Sequence, residues 1–496
     1  MSSTTSLLAE HTPQRLARDA VNQYSLIAGD LIVLLVAGGL ANLVHWLYLG
    51  APEDELLRIW TGTSAELRLA LFAALVAIAI GWFWLLGHYS RRRPFWDEVA
   101  EIIRVLAAVA VLDAASLYLA KLQFSRFWFL GLWVIALALI PFARLSVKRL
   151  LTHLGHWRRP AIIFGTGPHA IEALEALHSE PAMGLETVAF IQPPNAGGIR
   201  PTHLDAAGHR YPVIALPENA SSALDALGKP TLIVALEQAD LAREANLVTR
   251  LHRYCNDLRV VPPVKGLPLF GATVHHFFRH ELFFLTLRNN LARRAPRRLK
   301  RAFDLVVATL LLIALSPLFA YLAWKIRGDG GPVFFLHQRI GRDGQPFGCI
   351  KFRTMVPNAP AVLQQLLATD PAARAEWDKD FKLKNDPRIT RIGKFLRAYS
   401  LDELPQLWNV LKGEMSLVGP RPIVKGELQR YAEDADFYLE TRPGMTGLWQ
   451  ISGRNNTDYG YRVSLDSWYV KNWSLWYDIV ILLKTVRVVL AKDGAF

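Results

Sequence analysis

Uncharged apolar stretches constrain this chain more than any other feature, because a run of about 18 or more such residues can cross a bilayer as a helix. Four of them lie early in the chain: Leu31–Gly50, Leu69–Leu86, Val105–Ala120, which Asp113 interrupts, and the shorter Phe127–Phe142. Hydrophobic residues make up 52% of the 496 residues and charged residues 20%, which excludes a disordered chain and a small disulfide-stapled scaffold. We predict transmembrane helices here, with buried helices of a soluble core as the alternative.

Basic residues next to these runs predict their orientation, because cytoplasmic connections carry an excess of Lys and Arg. The N-terminal arm, the second connection and the segment after the fourth run are basic, with Arg15, Arg18, Arg91, Arg92, Arg93, Lys148 and Arg149. The first connection is acidic, with Glu53, Asp54 and Glu55. We therefore expect a cytoplasmic arm over 1–22 and a four-helix bundle over 23–150 that returns the chain to the cytoplasm. The long Arg144 side chain is expected to extend to the membrane interface.

A fifth uncharged run, Leu305–Trp324, has basic clusters on both sides, at 293–301 and 325–342. A helix that crossed the membrane would place one of these clusters on the unfavoured side. Ser316-Pro317 also lies near the middle of the run, where proline breaks or kinks a helix. We predict a re-entrant helix over 303–326 that dips into the bilayer and returns, with a kinked spanning helix as the alternative.

The middle of the chain alternates between strand-like and helix-like segments, which predicts an α/β domain over 158–270, followed by a basic connecting segment over 271–299. An apolar strand runs into Gly165-x-Gly167-x-x-Ala170, which resembles the opening of a Rossmann-type unit. The next strand ends in Gln192-Pro193-Pro194, without an acid for ribose hydroxyls. Nucleotide binding and a structural or dimerising role both stay open. A nucleotide-sugar dehydratase or epimerase would need a Tyr-x-x-x-Lys base, which this domain lacks.

Asp402 and Glu403 are adjacent carboxylates in a C-terminal segment rich in Lys and Arg. A carboxylate pair can hold Mg²⁺ together with substrate phosphates, arginine binds phosphate through two hydrogen bonds, and a carboxylate can act as a nucleophile on phosphorus. The local alternative is that Ser400-x-x-Glu403 forms a capping box at the start of a helix. The two interpretations are compatible, because the N-terminus of a helix also attracts anions.

From Lys300 to its end, the chain resembles the catalytic domain of the bacterial sugar transferases, which are monotopic polyprenyl-phosphate phosphoglycosyl transferases. The matching motifs are Lys300-Arg301-x-x-Asp304, Ser316-Pro317, Lys351-Phe352-Arg353-Thr354-Met355, Ser400-Leu401-Asp402-Glu403-Leu404, the segment 413–422 and Arg442-Pro443-Gly444. Several long motifs in the same order make this resemblance specific. The four apolar runs and the α/β middle resemble the large members of the family.

The resemblance implies a reaction and the residues that perform it. A UDP-sugar donates sugar 1-phosphate to undecaprenyl phosphate and UMP leaves, as the first membrane step of exopolysaccharide, O-antigen or capsule synthesis. Asp402 is expected to be the nucleophile that carries the phosphosugar, and Glu403 to hold Mg²⁺ or orient the donor. The expected phosphate-binding residues are Lys351, Arg353, Arg397 and Arg421. The expected interface anchors of the re-entrant helix are Lys300, Arg301 and Asp304, with its break at Ser316 and Pro317.

The predicted fold is a membrane α-helical N-terminal bundle, a Rossmann-like α/β middle domain and a mixed α/β monotopic catalytic domain with a re-entrant helix. We expect it in the bacterial inner membrane, with the catalytic domain in the cytoplasm. The net charge of +13 suits anionic lipid and phosphorylated substrates, and no nucleic acid partner is expected. The expected partners are a UDP-sugar, undecaprenyl phosphate, membrane lipid and a second copy in a homodimer, with Mg²⁺ as cofactor. A membrane assembly protein with an inactive C-terminal domain is the alternative.

Overall fold

The computed structural model describes residues 12–49, 65–121, 126–195, 201–216, 230–252, 255, 257–264, 266–276, 283–380, 383, 386–453 and 459–491. The first part of the predicted arm, 1–11, and most of the predicted first connection, 51–64, lie outside these residues. The chain divides into two compact units, residues 1–264 and residues 265–496. The first unit contains both the helical bundle and the α/β region.

Four long helices form the bundle: α1 (Thr12–Leu49), α2 (Ala65–Leu85), α3 (Phe95–Leu119) and α4 (Arg126–His153). Each contains a stretch long and apolar enough to cross a membrane, which confirms the four predicted apolar helices. Helix α1 begins inside the predicted arm, so the described part of that arm is helical. Leu26, Leu106 and Ile140 pack in the centre, whereas Leu35 and Phe142 are exposed on the outside, as expected for helices that face lipid.

Buried charges hold the bundle together. The Arg144 guanidinium, 3% exposed, donates to Asp30 Oδ2 on α1 at 2.6 Å and to Glu98 Oε1 on α3 at 3.0 Å. Lys148 pairs with the second Glu98 oxygen, and the Tyr89 hydroxyl donates to Asp30 at 2.8 Å. The expectation that Arg144 extends to the membrane interface is therefore wrong, because carboxylates on two other helices hold it inside the protein.

In its described residues, the α/β region is a six-stranded sheet covered by helices on both faces. Its strands are β1 (Arg159–Phe164), β2 (Leu185–Gln192), β3 (His203–Ala206), β4 (His209–Ala215), β5 (Thr231–Val234) and β6 (Leu258–Val260). In space they run β3-β4-β2-β1-β5-β6, and all neighbours are parallel except β3 and β4. Alternate residues of β1 pack in two cores, Ile163 with helix α5 (Pro168–Ser179) and Ile162 with helix α6 (Gln238–His252). The predicted α/β architecture is confirmed.

In the described residues of the second unit, the elements include the long helix α7 (Arg294–Ile326) and three two-stranded sheets. The antiparallel pairs are β7 (Thr273–His276) with β8 (Phe283–Thr286) and β9 (Phe334–Ile340) with β10 (Pro346–Phe352), and the parallel pair is β11 (Ser416–Val418) with β12 (Gly444–Thr446). The shorter helices are α8 (Ala359–Thr369), α9 (Pro371–Asp380), α10 (Arg391–Ala398), α11 (Gln406–Lys412), α12 (Ala435–Glu440), α13 (Leu448–Ile451), α14 (Tyr459–Lys471) and α15 (Leu475–Ala491). Ala308 of α7 packs in the main core with Leu407, Val418 and Tyr469.

Helix α7 continues through Pro317, so the predicted break in secondary structure is not observed. Proline has no N–H and leaves the carbonyl four residues earlier, that of Ile313, without its helical donor. The Ser316 hydroxyl donates to this carbonyl at 2.8 Å and replaces the missing hydrogen bond. The Ser-Pro pair thus keeps the helix intact, and its re-entrant path stays a prediction.

Three side chains near the start of α7 bind it to the rest of the second unit. Lys300, 6% exposed, donates to Asp478 Oδ2 of α15 at 2.7 Å. Asp304 accepts two hydrogen bonds from β11, at 2.8 and 3.1 Å, and Arg301 donates to two carbonyls near the end of α11, at 2.6 and 2.9 Å. The predicted anchors therefore have protein partners, and the position of this junction at the membrane interface stays a prediction.

Candidate active site

The site residues predicted from the C-terminal sequence line one cavity of about 950 Å³ in the second unit. Its lining includes Lys351, Arg353, Arg397, Asp402, Glu403 and Arg421. These side chains come from the end of β10, from α10 and the turn that follows it, and from the loop after β11. Folding therefore brings together two carboxylates and several cations that are far apart in the sequence.

Asp402 and Glu403 lie in a single 3₁₀ turn, Leu401–Glu403. Ser400 precedes it with φ 54° and ψ 22°, a left-handed conformation that costs a non-glycine residue about 1–2 kcal/mol. The Ser400 side chain makes no capping hydrogen bond, and α11 begins only at Gln406, after Pro405. The capping-box interpretation is therefore wrong, and a strained turn presents both carboxylates to the cavity.

Lys351 lies beside this carboxylate pair at the end of β10. Its Nζ is 2.6 Å from Glu403 Oε1 and 3.9 Å from Asp402 Oδ2. Burial, followed by the charge of Glu403, raises the pKa of Asp402 to about 6, so this carboxylate is mostly ionised at neutral pH and above. Burial alone would lower the pKa of Lys351, but the two carboxylates raise it, so Lys351 is cationic.

Helix α10 fixes Arg397 at the cavity. Thr390 caps the helix by accepting the Gly393 N–H at 3.0 Å. A β-carbon on Gly393 would lie 2.0 Å from the Thr354 carbonyl oxygen, so only glycine allows the helix to approach β10 this closely. At this separation Arg397 donates its Nε–H to Thr354 Oγ1 at 3.0 Å. The position suits the predicted binding of phosphate by Arg397.

Arg353 makes different contacts from the other cations of the cavity. Its guanidinium donates to the backbone carbonyls of Pro332 at 2.6 Å, of Met355 at 3.0 Å and of Ile326 at 3.0 Å. These bonds tie the end of β10 to the end of α7. They favour a structural role for Arg353 over the predicted phosphate contact, because several of its N–H groups already have acceptors.

Arg421 lies near residues that no motif in the sequence identified. Its guanidinium carbon lies 5.2 Å from the centre of the Trp449 ring, and that of Arg462 lies 4.9 Å from the same ring. Asp466, 2% exposed, accepts the Tyr431 hydroxyl at 2.8 Å, and burial raises its pKa to about 6. No spacing in the sequence links these residues to Arg421, since Trp449 comes from α13, Arg462 and Asp466 from α14, and Tyr431 from the turn Lys425–Asp434.

The carboxylate pair is suited to bind Mg²⁺ together with substrate phosphates. Asp402 and Glu403 offer the hard oxygen donors that Mg²⁺ prefers, in a cavity lined by Lys and Arg. Among the described residues, no cluster of three or more His, Cys, Asp or Glu side chains is placed to hold a metal ion. The residues present therefore fit an ion held by one or two carboxylates and completed by substrate phosphates.

A family model described as a CoA-binding domain matches residues 84–262. In such folds a pyrophosphate would lie at the turn between β1 and the first helix. Here Glu237 Oε1 already accepts the His169 N–H at 3.0 Å at the start of α5, and a β-carbon on Gly167 would lie 2.9 Å from the same oxygen. The Glu237 carboxylate therefore occupies the position where a phosphate would bind, so the residues at this turn do not fit CoA.

A family model described as bacterial sugar transferase matches residues 295–492. The chain is 47% identical to the undecaprenyl-phosphate galactose phosphotransferase of Salmonella typhimurium, over 92% of this chain and 95% of that protein. It is 44% identical to a UDP-galactose-lipid carrier transferase of Erwinia amylovora, over 95% and 97% of the two chains. It is 33% identical to the UDP-glucose:undecaprenyl-phosphate glucose-1-phosphate transferase of Escherichia coli, over 71% and 72%. The chain therefore belongs to the bacterial sugar transferase family of phosphoglycosyl transferases, as its motifs predict.

Proposed function

We propose that this enzyme transfers hexose 1-phosphate from a UDP-sugar to undecaprenyl phosphate, releasing UMP and forming undecaprenyl-diphosphate-sugar. The observation that carries the proposal is the half-buried Asp402 carboxylate beside Lys351, in a cavity lined by arginines. The names of the Salmonella and Escherichia coli relatives, which describe transfer of galactose or glucose phosphate to undecaprenyl phosphate, support it. The reaction would be the first membrane step of exopolysaccharide, O-antigen or capsule synthesis.

Asp402 acts as the nucleophile in two successive displacements. Its ionised carboxylate attacks the sugar-bearing phosphorus, and a bond forms from Asp402 to phosphorus as the bond to the bridging oxygen breaks. UMP leaves with that oxygen and its electron pair, and the sugar phosphate stays on Asp402. A phosphate oxygen of undecaprenyl phosphate then attacks the same phosphorus, and the Asp402 carboxylate leaves unchanged. Attack by the ionised carboxylate requires a pH above its pKa of about 6.

Positive charge around the pair lowers the repulsion between this nucleophile and an anionic donor. Lys351, Arg397 and Arg421 line the cavity, where they would bind the phosphate oxygens whose charge grows during each displacement. Glu403, and Asp402 before it reacts, would hold Mg²⁺ together with the donor diphosphate. The bound ion would supply further positive charge to the phosphates.

Helix α7 would place this cavity at a membrane surface. It exposes apolar side chains such as Leu310 and Ile313, and its apolar stretch is long enough to enter a bilayer. We propose that it is re-entrant in the bacterial inner membrane, with the catalytic unit in the cytoplasm. Single cysteines at Arg298 and Gly328, in a chain without Cys255 and Cys349, should both react with reagents on the cytoplasmic side. Labelling of either one from the periplasm would refute the re-entrant path.

A UMP-release assay tests the reaction with the purified full chain, undecaprenyl phosphate and a panel of UDP-sugars. Asp402→Asn should abolish UMP release, whereas Asp343→Asn should not, because Asp343 is exposed in the turn between β9 and β10. With the acceptor left out, mass spectrometry should find a phosphohexose on Asp402. Normal turnover by Asp402→Asn, or the absence of the adduct in a sample that has released UMP, would overturn the assignment.

A further inference from the structure

The Lys351 ammonium lies between the two carboxylates of the proposed site. It contacts Glu403 Oε1 at 2.6 Å and stands 3.9 Å from Asp402 Oδ2. Strand β10 sets this position, because Lys351 pairs in register with Phe335 of β9 and so faces the cavity at the strand end. One cation of the chain itself therefore partly neutralises the pair.

A divalent cation bound to Glu403 would compete with this ammonium. Both would use the same carboxylate. A metal ion cannot occupy the position that the Lys351 Nζ takes 2.6 Å from Glu403 Oε1. By Coulomb's law, a monovalent and a divalent cation on neighbouring oxygens repel each other. This repulsion lowers the affinity for the divalent cation roughly tenfold, even at the dielectric constant of water. The metal alone should then bind weakly.

We propose that Lys351 is the resident cation of the carboxylate pair and moves from Glu403 to the donor's phosphates when a nucleoside-diphosphate sugar arrives with Mg²⁺. The inference rests on the proposed function and adds an order to it, since metal and donor enter together. A lysine suits this exchange because its flexible four-carbon stem lets one charge reach two acceptors. No covalent bond changes in the exchange. Arg353, held by backbone carbonyls in the same cavity, has no such freedom.

Binding of Mn²⁺ alone tests the exchange, measured on the full chain by the loss of the free-ion electron paramagnetic resonance signal. Lys351→Met should bind Mn²⁺ roughly tenfold more tightly than the wild type. Lys351→Arg, which keeps the charge, should stay close to the wild type. Lys394→Met removes the same charge from an exposed position on α10 and should change nothing. In Lys351→Met/Glu403→Gln the gain should disappear. Addition of UDP should tighten Mn²⁺ binding more in the wild type than in Lys351→Met.

Each outcome decides the matter. Equal Mn²⁺ affinity in Lys351→Met and the wild type, with both proteins folded by their melting curves, would overturn the exchange. So would an equal gain in Lys394→Met, or a gain that survives Glu403→Gln. The UMP-release assay is independent of these measurements. If the exchange fails but UMP release is normal, the proposed function stands. If the exchange is observed but no UMP is released, the proposed function is lost and the competition at Glu403 remains.

Discussion

Gly393→Ala probes how the fold positions the phosphate-binding side of the cavity. A β-carbon at Gly393 would lie 2.0 Å from the Thr354 carbonyl oxygen, and side-chain carbons essentially never come within 3.0 Å of such an atom. Helix α10 must therefore move by about 1 Å or more. The same carbonyl accepts the Thr390 N–H at 3.0 Å, and Thr354 Oγ1 accepts from Arg397 at 3.0 Å, so the shift breaks both contacts.

Such a displacement should reduce UMP release by about 10- to 100-fold, because misplacing a catalytic contact by 1 Å can cost that much. Overpacking should also lower stability by about 1–3 kcal/mol, which amounts to several degrees in melting temperature for a unit of this size. Gly426→Ala is the matched control, since a β-carbon there meets nothing within 4 Å. UMP release within twofold of the wild type, with an unchanged melting temperature, would show that α10 does not pack as described.

Three further predictions concern other parts of the molecule and are tested through melting temperature in detergent. Arg144→Met should destabilise the bundle by about 3–5 kcal/mol, since it leaves Asp30 buried without its ion pair; Asp30→Asn in the same chain should restore part of the loss. Ser400→Gly should melt slightly higher and Ser400→Val lower, because a β-branched residue resists the left-handed conformation; the opposite order would refute the strain. Because the folded pKa of Asp466 is raised to about 6, its ionisation costs stability as pH rises from about 4 to 7. The melting temperature of Asp466→Asn relative to the wild type should rise over that range, by the equivalent of about 3 kcal/mol; a constant difference would contradict the shift.

Patterns in the sequence predicted the main elements of the first unit correctly. Uncharged runs predicted the four helices of the bundle, and alternating segments predicted an α/β domain. The motifs around Lys351 and Asp402 predicted the family, which the relatives confirm. The homodimer expected from the sequence stays a prediction.

Local rules failed at Arg144 and Ser400, and at Arg144 the reason is a partner from a distant part of the chain. Arg144 was expected at the membrane interface, but Asp30, 114 positions away, holds it inside the bundle. The Ser400-x-x-Glu403 spacing also suits a capping box, but Ser400 adopts a left-handed conformation that turns the carboxylates toward β10. Pro317 lies within α7, where the Ser316 hydroxyl offsets the hydrogen bond that proline removes, and the turn expected at this pair stays a prediction.

The sequence by itself determined which segments are apolar, which residues carry charge and that two carboxylates stand side by side. Those properties depend on neighbours within a few positions, where periodicity and residue type are sufficient. Only the tertiary structure decided that Lys351 contacts Glu403 across 52 positions and that Lys300 contacts Asp478 across 178. The physical reason is that an ion pair depends on distance in space, and the packing of the whole unit sets that distance.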